Sequence, residues 1–119
     1  MDGMRVLQTI HIPGTLAANI TPIFTAPCDL TLVSVQAVGT NANDATLSVG
    51  TTSSAAAYLA AFAIGDSSVP VQKAARSDFV GGEFPNINKG TVVQFTLDFD
   101  GAAGTAAAGV TIVATYLEG

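Results

Sequence analysis

The sequence predicts an all-β protein: a single-domain antiparallel β-sandwich of seven or eight strands, jelly-roll-like in its course. In residues 91–100, Val93, Phe95, Leu97 and Phe99 alternate with mostly polar residues, which is the pattern of a half-buried strand. Similar short apolar segments recur along the chain, separated by glycine, proline and asparagine turn signals. Long loops also alternate with short ones, which is typical of Greek-key connections.

The length of 119 residues is that of one domain. Residues 1–119 are therefore expected to form one β-sandwich, with residues 1–4 as a flexible arm. Apolar residues make up 49% of the chain and charged residues only 11%, which leaves few polar side chains to cover the surface of a monomer. We expect part of that surface to be buried in an assembly.

The charge of the chain argues against several classes of partner. Nine acidic residues against four cations give a net charge of −5. The cations are scattered along the sequence: Arg5, Lys73, Arg76 and Lys89. We therefore expect no nucleic-acid partner and no anionic membrane surface as a partner, because both need a basic patch. The longest nearly apolar segment, residues 55–64, is about half as long as a membrane span.

Two strands are predicted near the N-terminus. Residues 5–12 alternate, and the turn signal Pro13-Gly14 ends the strand. Residues 16–24 form the second strand. Pro22 within it cannot donate a ladder hydrogen bond, so the sequence predicts an edge strand or a bulged one.

Residues 28–38 are predicted to form a long strand whose apolar face changes partway. Leu30 and Leu32 share one face, whereas Val33, Val35 and Ala37 share the opposite one. Either a bulge near Leu32-Val33 switches the face, or both faces are covered. Residues 45–50 follow as a short strand.

Residues 55–64 leave two interpretations open. Their alanines favour a helix capped by Ser54 and ended by Gly65. The segment also alternates as a strand would, in the series Tyr58, Ala60, Phe62 and Ile64. The all-β surroundings favour the strand.

The later connections differ in length and composition. Residues 66–88 are mostly irregular, with a short strand at 69–72, and loops of this length are often functional or interfacial. Residues 101–109 contain only glycine, alanine and threonine, and we interpret them as a flexible hairpin tip. Residues 110–117 form the last strand, whose apolar residues on both faces indicate a central position or a covered outer face.

Nucleophilic catalysis requires a base, and His11 is the only histidine. Ser53, Ser54 and Cys28 are the candidate nucleophiles, but none lies in a recognisable motif. We interpret His11 as an ordinary strand histidine and Cys28, the one cysteine, as a small buried hydrophobe. A single cysteine also excludes a disulfide within the chain.

Paired carboxylates are the other candidates. Asp98 and Asp100 point the same way from one strand, but residues 102–108 supply no further ligand for a calcium loop. A glycosidase needs two such acids, which could be this pair or Asp78 and Glu83. However, the chain has no tryptophan to serve as a sugar platform.

Two further features have structural interpretations. Tyr58 and Tyr116 are interpreted as packing residues. Gly81-Gly82 precedes no helix, so it is interpreted as a turn rather than a phosphate site. No catalytic, cofactor-binding or metal-binding residue is predicted, and we expect that the protein is not an enzyme.

Several segments together carry a resemblance to a known family. They are Phe24-Thr25-Ala26-Pro27 leading into residues 29–35, residues 46–50, Asn88-Lys89-Gly90-Thr91, Asp98-Phe99-Asp100-Gly101, the small-residue segment that follows, and residues 110–116. The pattern resembles the small jelly-roll structural proteins of tailed-bacteriophage virions, of the head decoration or cement type.

The resemblance implies a function in binding rather than in chemistry. Such a protein would be a homotrimer that assembles in the host cytoplasm, lies on the capsid exterior of the virion, and binds between capsid subunits. Its partners would be its own copies and the major capsid protein. The alternative is a carbohydrate- or receptor-binding module of a phage fibre or tail that uses the loops of residues 66–88. A third hypothesis is a small hydrolase that uses Asp98 and Asp100.

Overall fold

The computed structural model describes residues 5–119, so the arm predicted for residues 1–4 lies outside the described residues. The strands are β1 (Arg5–Thr15), β2 (Ile23–Thr25), β3 (Leu30–Val38), β4 (Thr46–Thr51), β5 (Leu59–Ala63), β6 (Val71–Lys73), β7 (Asn86–Ile87), β8 (Val92–Asp98) and β9 (Ala108–Glu118). Two short 3-10 turns, Arg76–Asp78 and Val80–Gly82, lie between β6 and β7. No helix within the described range is long and apolar enough to cross a membrane.

The strands form two sheets in the order of a jelly roll. One sheet has the order β1-β9-β3, with β6 and β7 both pairing with the other edge of β3, and the second has the order β2-β8-β4-β5. All pairs of these strands are antiparallel. If β6 and β7 are counted as one interrupted strand, eight strand positions result, as in two Greek keys. The predicted all-β antiparallel sandwich is confirmed.

The core lies between the sheets and is centred on β8 and β9. Each is an interior strand of its own sheet. Their inward side chains are fully buried: Val93, Phe95 and Leu97 on β8, and Val110, Ile112, Ala114 and Tyr116 on β9. Burying each large apolar side chain contributes about 1.5–3 kcal/mol, so this pair of strands accounts for much of the hydrophobic stabilisation. The central position predicted for residues 110–117 is confirmed.

A β-bulge in β3 explains the change of apolar face in residues 28–38. The register against β9 shifts between Leu32 and Ser34, so Val33 is an extra residue on this strand. Leu30 and Leu32 before the bulge and Val35 after it are all buried in the core. Of the two alternatives that the sequence left open, the bulge is the one present.

Residues 55–64 contain a strand and not a helix. A turn precedes β5, and the buried residue at its start is Leu59, whereas the predicted alternation placed Tyr58 and Ala60 inward. That part of the prediction is wrong, since Ala60 is exposed. The register against β4 shifts between Leu47 and Val49, and this irregularity accounts for the change of phase.

Pro13-Gly14 does not end the first strand. β1 continues to Thr15, and a shift in its register against β9 between Ile12 and Thr15 accommodates the two residues. Gly14 has a φ of +78°, a backbone conformation that glycine adopts without strain. The turn signal therefore marks a bulge within a longer strand.

Residues 101–109 do not form a hairpin tip, because β8 and β9 belong to different sheets. The segment crosses from one sheet to the other and is held at several points. The Thr105 N–H donates to a carboxylate oxygen of Asp44 at 2.7 Å, and the Asn41 side chain donates to the Ala106 carbonyl at 2.9 Å. Ala107 is fully buried. The small side chains allow this close packing.

Candidate functional site

The candidate nucleophiles and the candidate base are not assembled into a catalytic site. His11 is exposed on the outer face of β1, where its Nδ1 lies 2.9 Å from the Thr111 hydroxyl. Ser53 and Ser54 lie in the turn after β4, which belongs to the other sheet. The Ser54 backbone N–H donates a hydrogen bond to the Thr51 hydroxyl at 3.2 Å. This hydrogen bond stabilises the turn.

Cys28 is half-exposed, so the prediction of a buried residue is wrong. Desolvation raises the pKa of its thiol, and the neighbouring carboxylates of Glu118 and Asp29 raise it further. A thiol becomes a nucleophile only as the thiolate. These surroundings therefore disfavour the reactive form.

Asp98 and Asp100 hold a turn together. Both carboxylates accept the Ala102 N–H, at 3.3 Å for Asp98 and 3.1 Å for Asp100. Gly101, which follows Asp100, has a φ of +62°, a conformation that glycine adopts without strain in a tight turn. Nowhere in residues 5–119 do three or more His, Cys, Asp or Glu side chains come together as metal ligands would.

Only one residue of the Asp78 and Glu83 pair lines a cavity. The Asp78 carboxylate accepts the Ala75 N–H at 3.1 Å and so stabilises the first 3-10 turn. Glu83 lines a shallow depression of about 210 Å³ together with Arg76, Phe84 and Asn86. Gly81 and Gly82 lie in the second short turn with φ of +80° and +71°, left-handed values that glycine adopts without strain, as expected of a turn.

The depression lies within the long connection that the sequence marked as functional or interfacial. Its one aromatic ring, Phe84, packs edge-to-face on the buried Phe79, with ring centroids 5.7 Å apart. The Phe84 ring is therefore fixed by its contact with the core, whereas the other residues that line the depression are polar. The sequence indicated the segment and Glu83 as a candidate, but not Arg76, Phe84 and Asn86, because no spacing rule joins side chains from two irregular turns.

The outer face of the larger sheet carries almost no charge. Its rows across β1, β9 and β3 are Leu7-Thr115-Ser34, Thr9-Val113-Gln36 and His11-Thr111-Val38. The acidic residues of the described chain lie instead in loops and at strand ends: Asp29, Asp44, Asp66, Asp78, Glu83, Asp98, Asp100 and Glu118. A sheet face with almost no charge suits contact with another protein, because little charge has to be desolvated.

Comparison with known proteins bears on the fold. No protein-family model and no curated protein matches the sequence. Among solved structures, a chain of the "Cyanophage Pam1 capsid asymmetric unit" is similar, with a TM-score of 0.58 and 17% sequence identity. The match covers 99% of this chain and 87% of that chain, so the two chains have similar lengths. At this identity the similarity shows a shared fold over the whole sandwich.

Proposed function

We propose that the protein is a non-enzymatic structural component of a bacteriophage virion. In this role it lies on the capsid exterior and binds between capsid subunits as a decoration or cement protein. The single observation that carries the proposal is the match over 99% of the chain to a chain of a cyanophage capsid. The match also covers 87% of that chain, so the likeness extends over most of both chains.

The chemistry of the surface supports the same role. The outer face of the larger sheet presents threonine, valine, leucine, serine and glutamine, with the carboxylates kept to loops and strand ends. A protein that stabilises a lattice gains its free energy from area buried against neighbours. Such a protein needs no reactive residue, which accords with the structural functions of His11 and of the Asp98 and Asp100 pair.

The proposal includes self-association as a homotrimer and assembly in the host cytoplasm. Its partners are other copies of this chain and the major capsid protein, with neither nucleic acid nor a membrane as a partner. A trimer of an 11.9 kDa chain has a mass of about 36 kDa. Three copies suit the three-fold positions of a capsid lattice, where each copy contacts an equivalent pair of subunits.

Co-sedimentation tests the proposal. Purified protein is mixed with capsids of its own phage from which it has been stripped, and with capsids of an unrelated phage as a control. We expect saturable binding to the first at a fixed number of copies per capsid, and none to the second. A protein that stays in the supernatant with both would contradict the capsid-binding role.

A second candidate function is favoured by the depression near β7. A small carbohydrate bound there would stack on Phe84 and form hydrogen bonds with Arg76, Glu83 and Asn86. We propose this as the alternative, a receptor-binding module of a fibre or tail. Glycan-array binding that is lost in Phe84→Ala and Glu83→Gln but kept in Val80→Ala would support it, and an array without signal for the wild type would exclude the glycans tested.

A further inference from the structure

One long side of the sandwich is closed by the chain that passes from β5 to β6. The Gly65 N–H donates to the Ala37 carbonyl at 3.0 Å, and the Gly65 carbonyl accepts the Gly39 N–H at 2.8 Å. These bonds join the end of one sheet to the other. Further along the same side, the Lys73 ammonium lies 5.6 Å from the centre of the Phe62 ring and covers it.

The opposite side, formed by the edge strands β1 and β2, is open. Within the described chain, β1 pairs only with β9 and β2 only with β8. The inward apolar side chains of these edges are half-buried: Val6, Ile10 and Ile12 on β1, and Ile20 and Phe24 before and within β2. Their neighbours on the next strands, such as Ile112 and Val93, are fully buried. The core is therefore incompletely covered along this side.

Two exposed apolar residues border the open side. Leu7 projects from the outer face of β1 and is 64% exposed, and Ile23 projects from the outer face of β2 and is 60% exposed. Edge strands of monomers are usually protected by charges, prolines or short length. β1 has eleven residues, with Arg5 at one end and the bulge at Pro13-Gly14 near the other, and residues 6–10 between them have neither a charge nor a proline.

The lack of acidic residues along the open side makes it a suitable contact for other copies of this chain. Residues 5–28, which build both edges and their connection, contain no aspartate or glutamate, although the whole chain has a net charge of −5. Copies of an acidic protein repel each other where carboxylates would face carboxylates. Where the open sides of copies come together around a three-fold axis, that repulsion is absent and the half-buried core residues of each copy become covered.

The area of the open side is adequate for a stable contact. Eleven strand residues extend about 36 Å at about 3.3 Å per residue, and two packed sheets with their side chains are roughly 20 Å thick. The side therefore offers roughly 700 Å², near the ~800 Å² that each partner buries in a standard interface.

We propose that the open side, defined by β1, β2 and the residues between them, is the surface through which copies of this chain associate. The inference rests on the self-association in the proposed function and names its interface. In a three-fold assembly this side of each copy lies against the next copy. The outer faces of the strands away from this side and the loop ends then remain free for the capsid.

The test compares variants at equally exposed apolar residues. Leu7→Glu and Ile23→Glu place a carboxylate at the border of the open side, and Thr9→Glu does so next to Leu7 on the outer face of β1. Val69→Glu and Val80→Glu are the matched controls, since these residues are 68% and 53% exposed but lie away from this side. Circular dichroism and thermal melts verify that each variant is folded, and light scattering and sedimentation velocity give the oligomeric mass.

We expect the wild type and both control variants to remain oligomeric, while self-association of the three open-side variants weakens at least tenfold. An oligomer that persists in all three open-side variants would overturn the inference, and so would a wild type that is monomeric at every concentration tested. Capsid co-sedimentation separates this result from the proposed function. A monomeric wild type that binds capsids, and loses binding in Leu7→Glu, would leave the capsid role in place and assign the open side to the capsid instead.

Discussion

The hydroxyl of Tyr116 donates a 2.8 Å hydrogen bond to the side-chain oxygen Oε1 of Gln8. Tyr116 is fully buried on β9, and its ring stacks on Phe24 of the other sheet with centroids 5.4 Å apart. Gln8 lies on the inward face of the edge strand β1, in an otherwise apolar row. The glutamine therefore satisfies the one polar atom of a core aromatic, and the three side chains join β1, β9 and β2.

Removal of this hydroxyl is expected to destabilise the fold. Tyr116→Phe leaves the ring packing in place but deprives Gln8 of its donor, at a cost of about 1 kcal/mol in the free energy of unfolding. Urea denaturation measures the loss. Tyr58→Phe is the matched control: Tyr58 is only half-buried, so it should change stability by less. Equal effects of the two substitutions would contradict this function of the Tyr116 hydroxyl.

The two tyrosines should titrate abnormally at high pH. Burial raises the pKa of both Tyr58 and Tyr116 above the ordinary value of 10.0, and it raises that of Tyr116 far more. Because the unfolded chain ionises at its ordinary pKa, the stability that depends on neutral Tyr116 is complete below about pH 10 and is lost as the pH rises further.

Ultraviolet absorbance of tyrosinate checks this prediction. We expect Tyr58 to ionise first in the folded protein, with Tyr116 ionising only as the protein unfolds in alkali. Tyr116→Phe should remove the second step and leave the first. Two tyrosines that titrate together near pH 10 in the folded wild type would contradict the burial of Tyr116.

Gly65 should tolerate no side chain. A Cβ atom at this position would overlap the carbonyl oxygen of Val69. The same Cβ atom would also lie 2.8 Å from Cα of Pro70. Both obstacles are backbone, so they cannot move aside as a side chain would. We expect Gly65→Ala to cost about 3 kcal/mol or more in thermal or urea unfolding.

Ala63→Ser is the control for Gly65→Ala. Ala63 is exposed at the end of β5, so its replacement should change stability by no more than about 0.5 kcal/mol. An equally small effect of Gly65→Ala would contradict the close backbone packing at Gly65, where the β5–β6 connection closes one side of the sandwich.

Deletion of the bulge residue should be tolerated better than deletion of a regular strand residue. Without Val33, β3 alternates regularly, and Leu30, Leu32 and Val35 still face the core, so we expect a modest loss of stability. Without Gln36, the side chain of Val38 would occupy the fully buried place of Ala37. Such overpacking costs about 1–3 kcal/mol, and a one-residue slip also displaces Gly39 from Gly65. Urea midpoints that rank the two deletions in the reverse order would contradict the assignment of the bulge.

Regular alternation made much of the fold predictable from sequence. Val93, Phe95 and Leu97 occupy one face without interruption, and the phase change around Val33 indicated where a bulge would lie, although the pairing with β9 was needed to choose it over two covered faces. The prediction failed where backbone irregularity reset the phase, as at Leu59. It also failed for residues 101–109, because small residues specify neither a hairpin nor a crossing between sheets. Which of the two forms depends on distant partners such as Asp44 and Asn41.

The candidate interaction surfaces were only partly predictable. The low proportion of charged residues indicated that part of the surface is buried in an assembly. The sequence also shows directly that residues 5–28 contain no aspartate or glutamate. The openness of the β1–β2 side depends on which strands lie at sheet edges, and this requires the pairing of residues a hundred positions apart, as between Gln8 and Ala114. No local pattern carries that information.

An electron-microscopy map of virions that contain the protein tests the central claim most directly. The account predicts density on the outside of the capsid, between capsid subunits, that fits a sandwich with extents of 42 × 27 × 25 Å and is grouped in threes with the β1–β2 sides together. A map of such virions in which the capsid exterior has no density of this size, or in which the protein occupies a tail fibre, would contradict it.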